Sequence, residues 1–408
     1  MRLSGWVGAL GERNFLLFFV GQSASQIGSG MAPVAVSFAV LEHGSASDVG
    51  YVAAAGLVPV VLLLLAGGVL ADRMSRRVLM LGSDSLRALA EIALGWWILT
   101  QAPPLWGFML LAALVGAGQA FFSPAMTGMV PHVISATKLQ QANALNGLSS
   151  SVGGIIGPPL AGVIIAVANP GWAVVIDGVT YLLSVLSLSL IKVAWLPLNG
   201  SDSFARQLRA GWHEFWSRTW LWVIVVEFSI VNILIFAPMF VLGPVVAKQS
   251  LGGAPAWGLI LAFEGVGALV GGVAMLRYHP RRPLLVATLS PIAWVWPLLG
   301  LAYRAPVLVI ASGAFVAGIG IAVFSTLWVT TMQREMPSDI LSRVSAYDWF
   351  GSLVFLPIGM ALIGPVDRAV GLKPTIVGAA VLLIVFIGAT LTVPSVICMR
   401  GPIRPART

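Results

Sequence analysis

The sequence predicts an all-α membrane protein with twelve transmembrane helices arranged as two pseudo-symmetric six-helix bundles. Three observations predict this class: an apolar composition, twelve apolar segments of spanning length, and a repeat that relates the two halves of the chain. Of the 408 residues, 58% are hydrophobic and 9% are charged, and the mean hydropathy is +0.94. Soluble domains carry about 25% charged residues, so this composition excludes them.

The apolar segments are bounded by charged residues and by Gly, Pro and polar clusters. A spanning helix needs about 20 apolar residues, so twelve need roughly 240, and 58% of 408 residues is close to that number. Predicted helices 1 to 12 cover residues 14–41, 49–71, 77–100, 105–129, 141–168, 172–196, 219–247, 255–276, 283–302, 306–332, 340–366 and 373–398. The ten-residue alternation of a membrane barrel is absent, which favours helices.

The sequence contains one long polar stretch, residues 197–218, and it separates six predicted helices from the other six. We therefore predict a bundle over 1–196, a cytoplasmic linker over 197–218 and a second bundle over 219–408. If both termini lie on one side, the loops of that side carry eighteen Lys and Arg residues and the opposite loops carry four. Basic residues resist translocation, so both termini are expected in the cytoplasm. The net charge of +8 is then a topology signal, and no nucleic-acid partner is expected.

The two halves of the chain share a repeated segment. Residues 64–77 recur as 268–282, where Gly67, Gly68, Val69 and Arg73 match Gly271, Gly272, Val273 and Arg277. The offset of 204 residues is half the chain. Repeats of the same orientation predict a pseudo-two-fold axis along the membrane normal, which is the plan of one large class of transporters.

The loop between helices 2 and 3 carries a recognisable run, in which Gly68, Asp72, Arg73, Arg76 and Arg77 occur in the order G-V-L-A-D-R-M-S-R-R. This run resembles the loop signature of the major facilitator superfamily of transporters, with a serine in place of its usual glycine. In that family the aspartate is a conformational latch against the start of helix 11. The resemblance therefore implies a latch at these five residues and a major facilitator fold for the chain.

Helix 5 carries a second motif at Gly153, Gly157, Pro158 and Gly162. It resembles the antiporter signature of the same superfamily, and the resemblance implies export. Glycines four residues apart let another helix approach closely, and proline bends the helix, so a packing motif with no bearing on direction is the alternative. We expect the complementary face to lie on helix 8, at Gly265, Gly267, Ala268 and Gly271.

The run 139–147, the Gly157-Pro158 element and two charges on helix 3 are similar to the branch of bacterial macrolide and siderophore exporters. The resemblance implies a multi-pass protein of the bacterial inner membrane. It implies secondary active export of a drug-like or secondary-metabolite molecule, by alternating access with proton antiport. An importer or a lipid flippase of the same fold is the alternative. Helix 4 lacks the arginine found in many proton-coupled relatives, so coupling by that route is not expected.

Seven ionisable residues lie inside predicted helices: Asp84, Arg87, Glu91, Asp177, Glu227, Glu264 and Asp348. An unpaired charge at mid-bilayer costs about 2.5 to 3.5 kcal/mol, so each needs a partner, a proton or water. Asp84, Arg87 and Glu91 share one helical face and predict a structural charge cluster. Asp177 is expected to make a polar contact near the outer interface.

Glu227, Glu264 and Asp348 have no basic residue at comparable depth in the second half. Helices 7, 8 and 11 line the central cavity in the resembled family, so these three acids are the candidates for proton coupling. The alternative is a protonated carboxyl that is hydrogen-bonded to a neighbouring helix. No cofactor is expected, with the proton gradient as the energy source.

Candidates for the substrate cavity are aromatic or amide side chains on the expected cavity helices: Gln22, Gln26, Phe121, Phe236, Phe324, Trp328 and Trp349. Together with the acids they suit a bulky, lipophilic solute, including a cationic one, through stacking and cation–π contact. Contacts with lipid or with a neighbouring helix are the alternative for each. The chain is expected to act as a monomer.

An enzyme is not predicted. The four histidines lie in separate loops without the spacing of metal ligands. Glycine-rich stretches lie inside apolar helices, and no ATP-binding loop motif is present. We therefore expect neither a metal site nor a catalytic residue.

Overall fold

The computed structural model describes residues 7–192, 212–336 and 338–399, with the backbone alone for 7, 64–73, 338–340, 342, 343 and 346. Within these residues the chain is helical and contains no strand. Eleven segments of the described residues are long and apolar enough to cross a membrane. Arg76–Thr100 is a further helix of spanning length, and every window of spanning size within it contains Asp84, Arg87 and Glu91.

The helices α1 to α12 correspond in order to predicted helices 1 to 12. They are α1 Arg13–His43, α2 Ala46–Arg73, α3 Arg76–Thr100, α4 Leu105–Val133, α5 Leu139–Val167, α6 Pro170–Leu190, α7 Thr219–Leu251, α8 Ala254–Met275, α9 Pro283–Ala302, α10 Val307–Glu335, α11 Ser338–Leu353 continued by Leu356–Val370, and α12 Leu372–Thr390. Most bounds lie within four residues of those predicted. The end of helix 12 is the largest difference, because the chain leaves the helix after Thr390 and Pro394 starts a separate turn, Pro394–Ile397.

Three helices of the second half are irregular at prolines. α7 widens into π-type turns at Pro238–Leu242 and Ala247–Leu251, and α9 tightens into a 3-10 turn at Ser290–Trp294. α11 is interrupted between Leu353 and Leu356, next to Pro357. Proline has no N–H to donate and its ring clashes with the preceding turn, which accounts for local irregularity at these places.

Contacts divide the chain into two compact units. The amino-terminal unit contains Met1–Ser201 and Ala247–Ala262, and the carboxy-terminal unit contains Asp202–Val246 and Phe263–Thr408. Each unit has an apolar core of its own. The first core includes Phe15, Phe18, Met80, Phe122 and Met129, and the second includes Leu221, Leu284, Phe324, Trp328 and Met332.

In the amino-terminal unit, α5 packs on α1 through glycines. A Cβ atom built on Gly157 would lie 2.7 Å from the carbonyl carbon and the Cα of Gly30. A Cβ atom built on Gly153 would lie 2.5 Å from the carbonyl oxygen of Gln26. Both distances are shorter than carbon contacts of about 3.5 to 4.0 Å, so the two helices require glycine at these positions.

The predicted partner of this glycine face on helix 8 is wrong. Gly267 and Gly271 pack against α10, where a Cβ atom on Gly271 would lie 2.8 Å from the carbonyl oxygen of Ile319. α5 meets the first turns of α8 instead: Cβ atoms on Gly162 and Gly258 would lie 2.8 Å and 2.5 Å from backbone oxygens of the opposite helix. Spacing identifies which small residues share a face, but many helices could occupy that face.

Candidate functional site

The amino-terminal unit contains a buried group of polar side chains between α3 and α6. We call it the α3–α6 polar cluster, and its members are Asp84, Arg87, Glu91, Asp177, Tyr181 and Ser184. The residues recur every three or four positions on two helices, so they line one face of each helix. None of these six residues is more than 5% exposed.

Arg87 is the centre of this cluster. Its Nη1 lies 3.2 Å from Oδ1 of Asp84, and its Nη2 donates a hydrogen bond to the hydroxyl of Tyr181. The guanidinium carbon lies 3.9 Å from the ring centroid of Tyr181 and 5.3 Å from that of Phe122. Ser184 donates to the other carboxylate oxygen of Asp84 over 2.6 Å. The ion pair between Asp84 and Arg87 is therefore well coordinated although it is buried.

α1 joins the cluster through uncharged side chains. Gln22 donates through Nε2 to the Ser184 hydroxyl over 3.3 Å, and the hydroxyls of Ser29 and Tyr181 share a hydrogen bond of 2.7 Å. Gln22, a predicted cavity residue, is only 3% exposed. Its amide is thus a link between α1 and the cluster in this conformation.

Glu91 and Asp177 are less well coordinated. Oε2 of Glu91 and Oδ2 of Asp177 are buried and have no hydrogen-bond partner, and Oδ1 of Asp177 accepts one long bond of 3.4 Å from Thr180. The two carboxyls interact electrostatically with each other and with Arg87. Asp177 is expected from the sequence to lie apart from the helix 3 residues, near the outer interface, whereas the structure places it among them.

Glu227 is a buried acid of the carboxy-terminal unit whose carboxyl has no hydrogen-bond partner. It lies on α7, is 4% exposed, and neither carboxyl oxygen has a hydrogen-bond partner. The hydroxyl of Thr288 on α9 faces the carboxyl without completing a hydrogen bond to it. Among the described residues, no basic side chain interacts with Glu227.

The other two predicted coupling acids differ from Glu227. Glu264 is half-buried on α8, where its backbone packs against Gly318 of α10. Asp348 is half-buried on α11 and accepts a 3.0 Å hydrogen bond from Nε1 of Trp328. Asp348 therefore has a neutral partner that Glu227 lacks.

An aromatic pocket begins at Phe228, the residue that follows Glu227 on α7, and Glu227 itself does not line it. About 260 Å³ of empty space, counted together with its opening to solvent, lies between its lining residues Phe228, Val231, Asn232, Ile235, Phe236, Pro291, Trp294, Ile321 and Phe324. The rings of Phe228 and Phe324 are stacked with centroids 4.4 Å apart. Asn232 donates to the backbone oxygen of Ser352 over 2.9 Å, and its own side-chain oxygen is unpaired.

Two of the predicted cavity residues, Phe236 and Phe324, line this pocket. The ring of Trp328 lies edge-on to that of Trp220 with centroids 5.8 Å apart, whereas Trp349 is 60% exposed. Phe121 packs against the core of the amino-terminal unit. Gln26 contacts α5 through its backbone and Cβ.

The first two residues of α3, Arg76 and Arg77, anchor the ends of two other helices of the amino-terminal unit. Nη1 of Arg76 donates to the carbonyl oxygen of Gly128 over 2.7 Å, and Nε of Arg77 donates to that of Leu188 over 2.9 Å. Leu188 lies in the last turn of α6, whose unpaired carbonyls attract a cation. The side chains of Asp72 and Arg73, and the surroundings of Gly68, lie outside the described part of the chain, so the latch implied by the resemblance stays a prediction.

Comparison with known proteins places the chain in a family. The profile of the Major Facilitator Superfamily matches residues 18–360. The chain is 27% identical over 376 residues to the multidrug efflux pump Tap of Mycolicibacterium fortuitum, with 88% of this chain and 90% of that protein covered. It is 22% identical over 358 residues to macrolide efflux protein A of Streptococcus pyogenes, covering 85% and 88%. It is also 24% identical over 303 residues to the enterobactin exporter EntS of Shigella boydii, covering 74% and 72%.

Solved structures agree on the fold. The nucleoside transporter NupG matches with a TM-score of 0.74 at 12% identity, covering 93% of this chain and 99% of that chain. A POT family transporter matches with a TM-score of 0.71 at 13% identity, covering 94% and 95%. The matched profile spans most of the chain, and the described residues form the helical bundles of that fold. The chain therefore belongs to the Major Facilitator Superfamily and is a multi-pass membrane transporter, not an enzyme.

Proposed function

We propose that this protein is a secondary active transporter that exports a lipophilic small molecule from a bacterial cell in exchange for protons. The observation that carries the proposal is Glu227, a buried carboxyl without a partner beside an aromatic pocket. Both termini face the cytoplasm in this proposal, because the basic residues concentrate on that side.

The isolation of Glu227 requires an exchangeable positive partner. A carboxylate in a dry membrane interior is costly unless it is paired or protonated. No basic side chain among the described residues supplies that partner. A proton supplies it in one state of the transporter, and the cationic group of a solute supplies it in another. Competition of the two for one carboxyl links solute release to proton uptake.

The pocket next to Glu227 sets the chemistry of the solute. Stacked phenyl rings and Trp294 give flat apolar surface, and the unpaired oxygen of Asn232 is a single acceptor. Apolar pockets with one or two polar groups bind lipophilic ligands in a fixed orientation. An aromatic solute with a hydrogen-bond donor and a cationic group fits this surface best.

Two observations favour export. The relatives named above are a multidrug efflux pump, a macrolide efflux protein and an enterobactin exporter. α5 also carries the Gly-Pro run at Gly157 and Pro158 that resembles the antiporter signature. The direction is measured in inverted vesicles, where an inside-acid gradient should drive accumulation of a lipophilic cationic dye. Accumulation in right-side-out vesicles under an outside-acid gradient would indicate an importer, and movement of a labelled phospholipid would indicate a flippase.

The role of Glu227 is tested with Glu227→Gln in proteoliposomes. The matched control is Glu335→Gln, which removes a more exposed carboxyl at the end of α10. We expect Glu227→Gln to abolish gradient-driven dye transport and its pH dependence, and the control to transport as the wild type does. Glu264→Gln then shows whether the half-buried acid of α8 also contributes. Wild-type rate and pH dependence in Glu227→Gln would remove the basis of the proposal.

A further inference from the structure

The α3–α6 polar cluster contains more acid than its cation can neutralise. Three carboxyls, those of Asp84, Glu91 and Asp177, surround the single guanidinium of Arg87. Asp84 is the carboxyl that Arg87 neutralises, at 3.2 Å, and Ser184 completes its hydrogen bonding. Glu91 and Asp177 therefore remain as two buried acids whose negative charges Arg87 does not neutralise.

We propose that Glu91 and Asp177 form a second proton-binding site of this transporter, which takes up and releases one proton on the amino-terminal unit. Its use for coupling rests on the function proposed above, whereas proton binding itself needs no solute. Binding forms one O–H bond on either carboxyl and raises the charge of the cluster by one. Release returns that proton to water.

The geometry of the free atoms supports this assignment. Oε2 of Glu91 and Oδ2 of Asp177 are buried without any hydrogen-bond partner, and the two residues are 4% and 0% exposed. Two carboxylates in electrostatic contact cannot both be ionised in a dry site without a large penalty, and a shared proton removes it. The described residues contain no group of three or more His, Cys, Asp or Glu side chains placed to hold a metal ion.

The surroundings identify what responds to the proton. α1 presents the neutral side chains of Gln22 and Ser29, and α4 presents the ring of Phe122. Apart from the pair itself, the titratable and charged groups in contact, among the side chains that the structure describes, are Asp84 and Arg87 on α3 and Tyr181 on α6. The pair is therefore controlled by its own cluster.

Arg87 supplies the route from proton binding to helix packing. Its Nε is buried and unpaired, so the guanidinium has a free donor for a second carboxylate. Loss of the shared proton ionises the second acid of the pair as well, and the added negative charge draws Arg87 away from Asp84. The hydrogen-bond chain from Asp84 through Ser184 to Gln22 on α1 then loses its charged anchor. Proton release thus loosens the contact of α1 with α3 and α6.

The test counts protons without any solute. Purified full-length protein in proteoliposomes is given a pH jump, and the bound protons are measured by the charge displaced on a solid-supported membrane. We expect the double variant Glu91→Gln with Asp177→Asn to bind about one proton fewer per chain than the wild type. Glu91→Asp, which keeps the carboxyl, should retain that proton, and Glu42→Gln, which removes an exposed carboxyl at the end of α1, should leave this signal in place.

The outcomes separate this inference from the proposed function. Glu227→Gln should lose solute transport yet keep the proton of the α3–α6 polar cluster. An unchanged proton count in the double variant would overturn the inference, even if solute transport were lost. If the double variant does not fold, infrared difference spectra of Glu227→Gln and of the same protein with Glu91→Gln added decide the question, because Glu227 then contributes no band. Glu227→Gln should show a protonated carboxyl band that shifts in heavy water, is lost at alkaline pH and weakens when Glu91→Gln is added. Absence of that band, or its undiminished intensity when Glu91→Gln is added, would equally overturn the inference.

Discussion

The contact between α5 and α1 allows a stability prediction with a control only three residues away. Gly157→Ala places a Cβ atom 2.7 Å from the carbonyl carbon and the Cα of Gly30 and 2.8 Å from the carbonyl oxygen of Ile27. Comfortable carbon contacts lie at about 3.5 to 4.0 Å, so α1 must move away by about 1 Å. Gly154→Ala, on the exposed face of the same helix, meets nothing within 4 Å.

The magnitude follows from the difference between these two variants. Both gain about 1 kcal/mol of helix propensity when glycine becomes alanine. Gly157→Ala alone also carries the cost of overpacking, which is about 1 to 3 kcal/mol. We therefore expect Gly157→Ala to be less stable than Gly154→Ala by about 1 to 3 kcal/mol, because the propensity gain cancels in the comparison.

The assay is unfolding by titration with sodium dodecyl sulfate in mixed micelles, followed by intrinsic tryptophan fluorescence. The free energy of unfolding of each variant is compared with that of the wild type under one set of conditions. Values for the two variants that agree within about 0.5 kcal/mol, the usual scatter of neutral surface substitutions, would show that the helices do not approach as described.

Three further predictions concern single side chains. Arg87→Met removes the one cation that the described residues supply to the buried carboxyls of the α3–α6 polar cluster. It should lower the free energy of unfolding by about 3 to 5 kcal/mol, measured by the same titration. An unchanged value would contradict the buried pairing. Hydrogen bonds from Ser135 and the ammonium of Lys138 hold the pKa of Glu12 below its ordinary 4.5, so this contact stabilises the protein fully above that pH and is lost as the pH falls through the lowered pKa. Glu12→Gln should therefore flatten the fall of the thermal midpoint on the acid side, and equal acid sensitivity in both proteins would argue against it. Phe324→Ala removes a stacked ring of the pocket and should raise KM for aromatic solutes by roughly 2- to 10-fold with little change for aliphatic ones; equal effects on both classes would indicate a purely structural ring.

The sequence predicts the helices well because each helix is determined by the residues within it and at its two ends. Apolar length and the bounding charged or turn residues place most helix ends within a few residues, as at α9, which begins at Pro283 and ends at Ala302. Asp84, Arg87 and Glu91, which are spaced for one helical face, are all buried on α3. These are properties of a single helix, so the periodicity of its residues is enough to predict them.

Which helix packs against a given face depends on residues far apart in the chain, so it cannot be predicted from the spacing within one helix. Gly267 and Gly271 face α10 instead of α5, because a small-residue face accepts any helix that topology brings to it. Asp177 belongs to the α3–α6 polar cluster because α6 runs beside α3. The residue spacing within either helix does not predict that the two helices are neighbours. One signal in the sequence could have paired α3 with α6. Both helices carry polar residues every three or four positions, and on α6 Tyr181 and Ser184 continue the line that begins at Asp177.

The coupling of solute to protons is tested most directly by measuring both fluxes at once in proteoliposomes of the wild-type protein. A fluorescent lipophilic cation reports solute movement, and a trapped pH indicator reports protons, with an inside-acid gradient imposed at zero membrane potential. Proton-coupled export predicts that dye accumulates while protons leave, that addition of dye speeds proton loss, and that Glu227→Gln stops both fluxes together. Dye accumulation that persists after a protonophore collapses the gradient, or proton loss that is indifferent to dye, would contradict it.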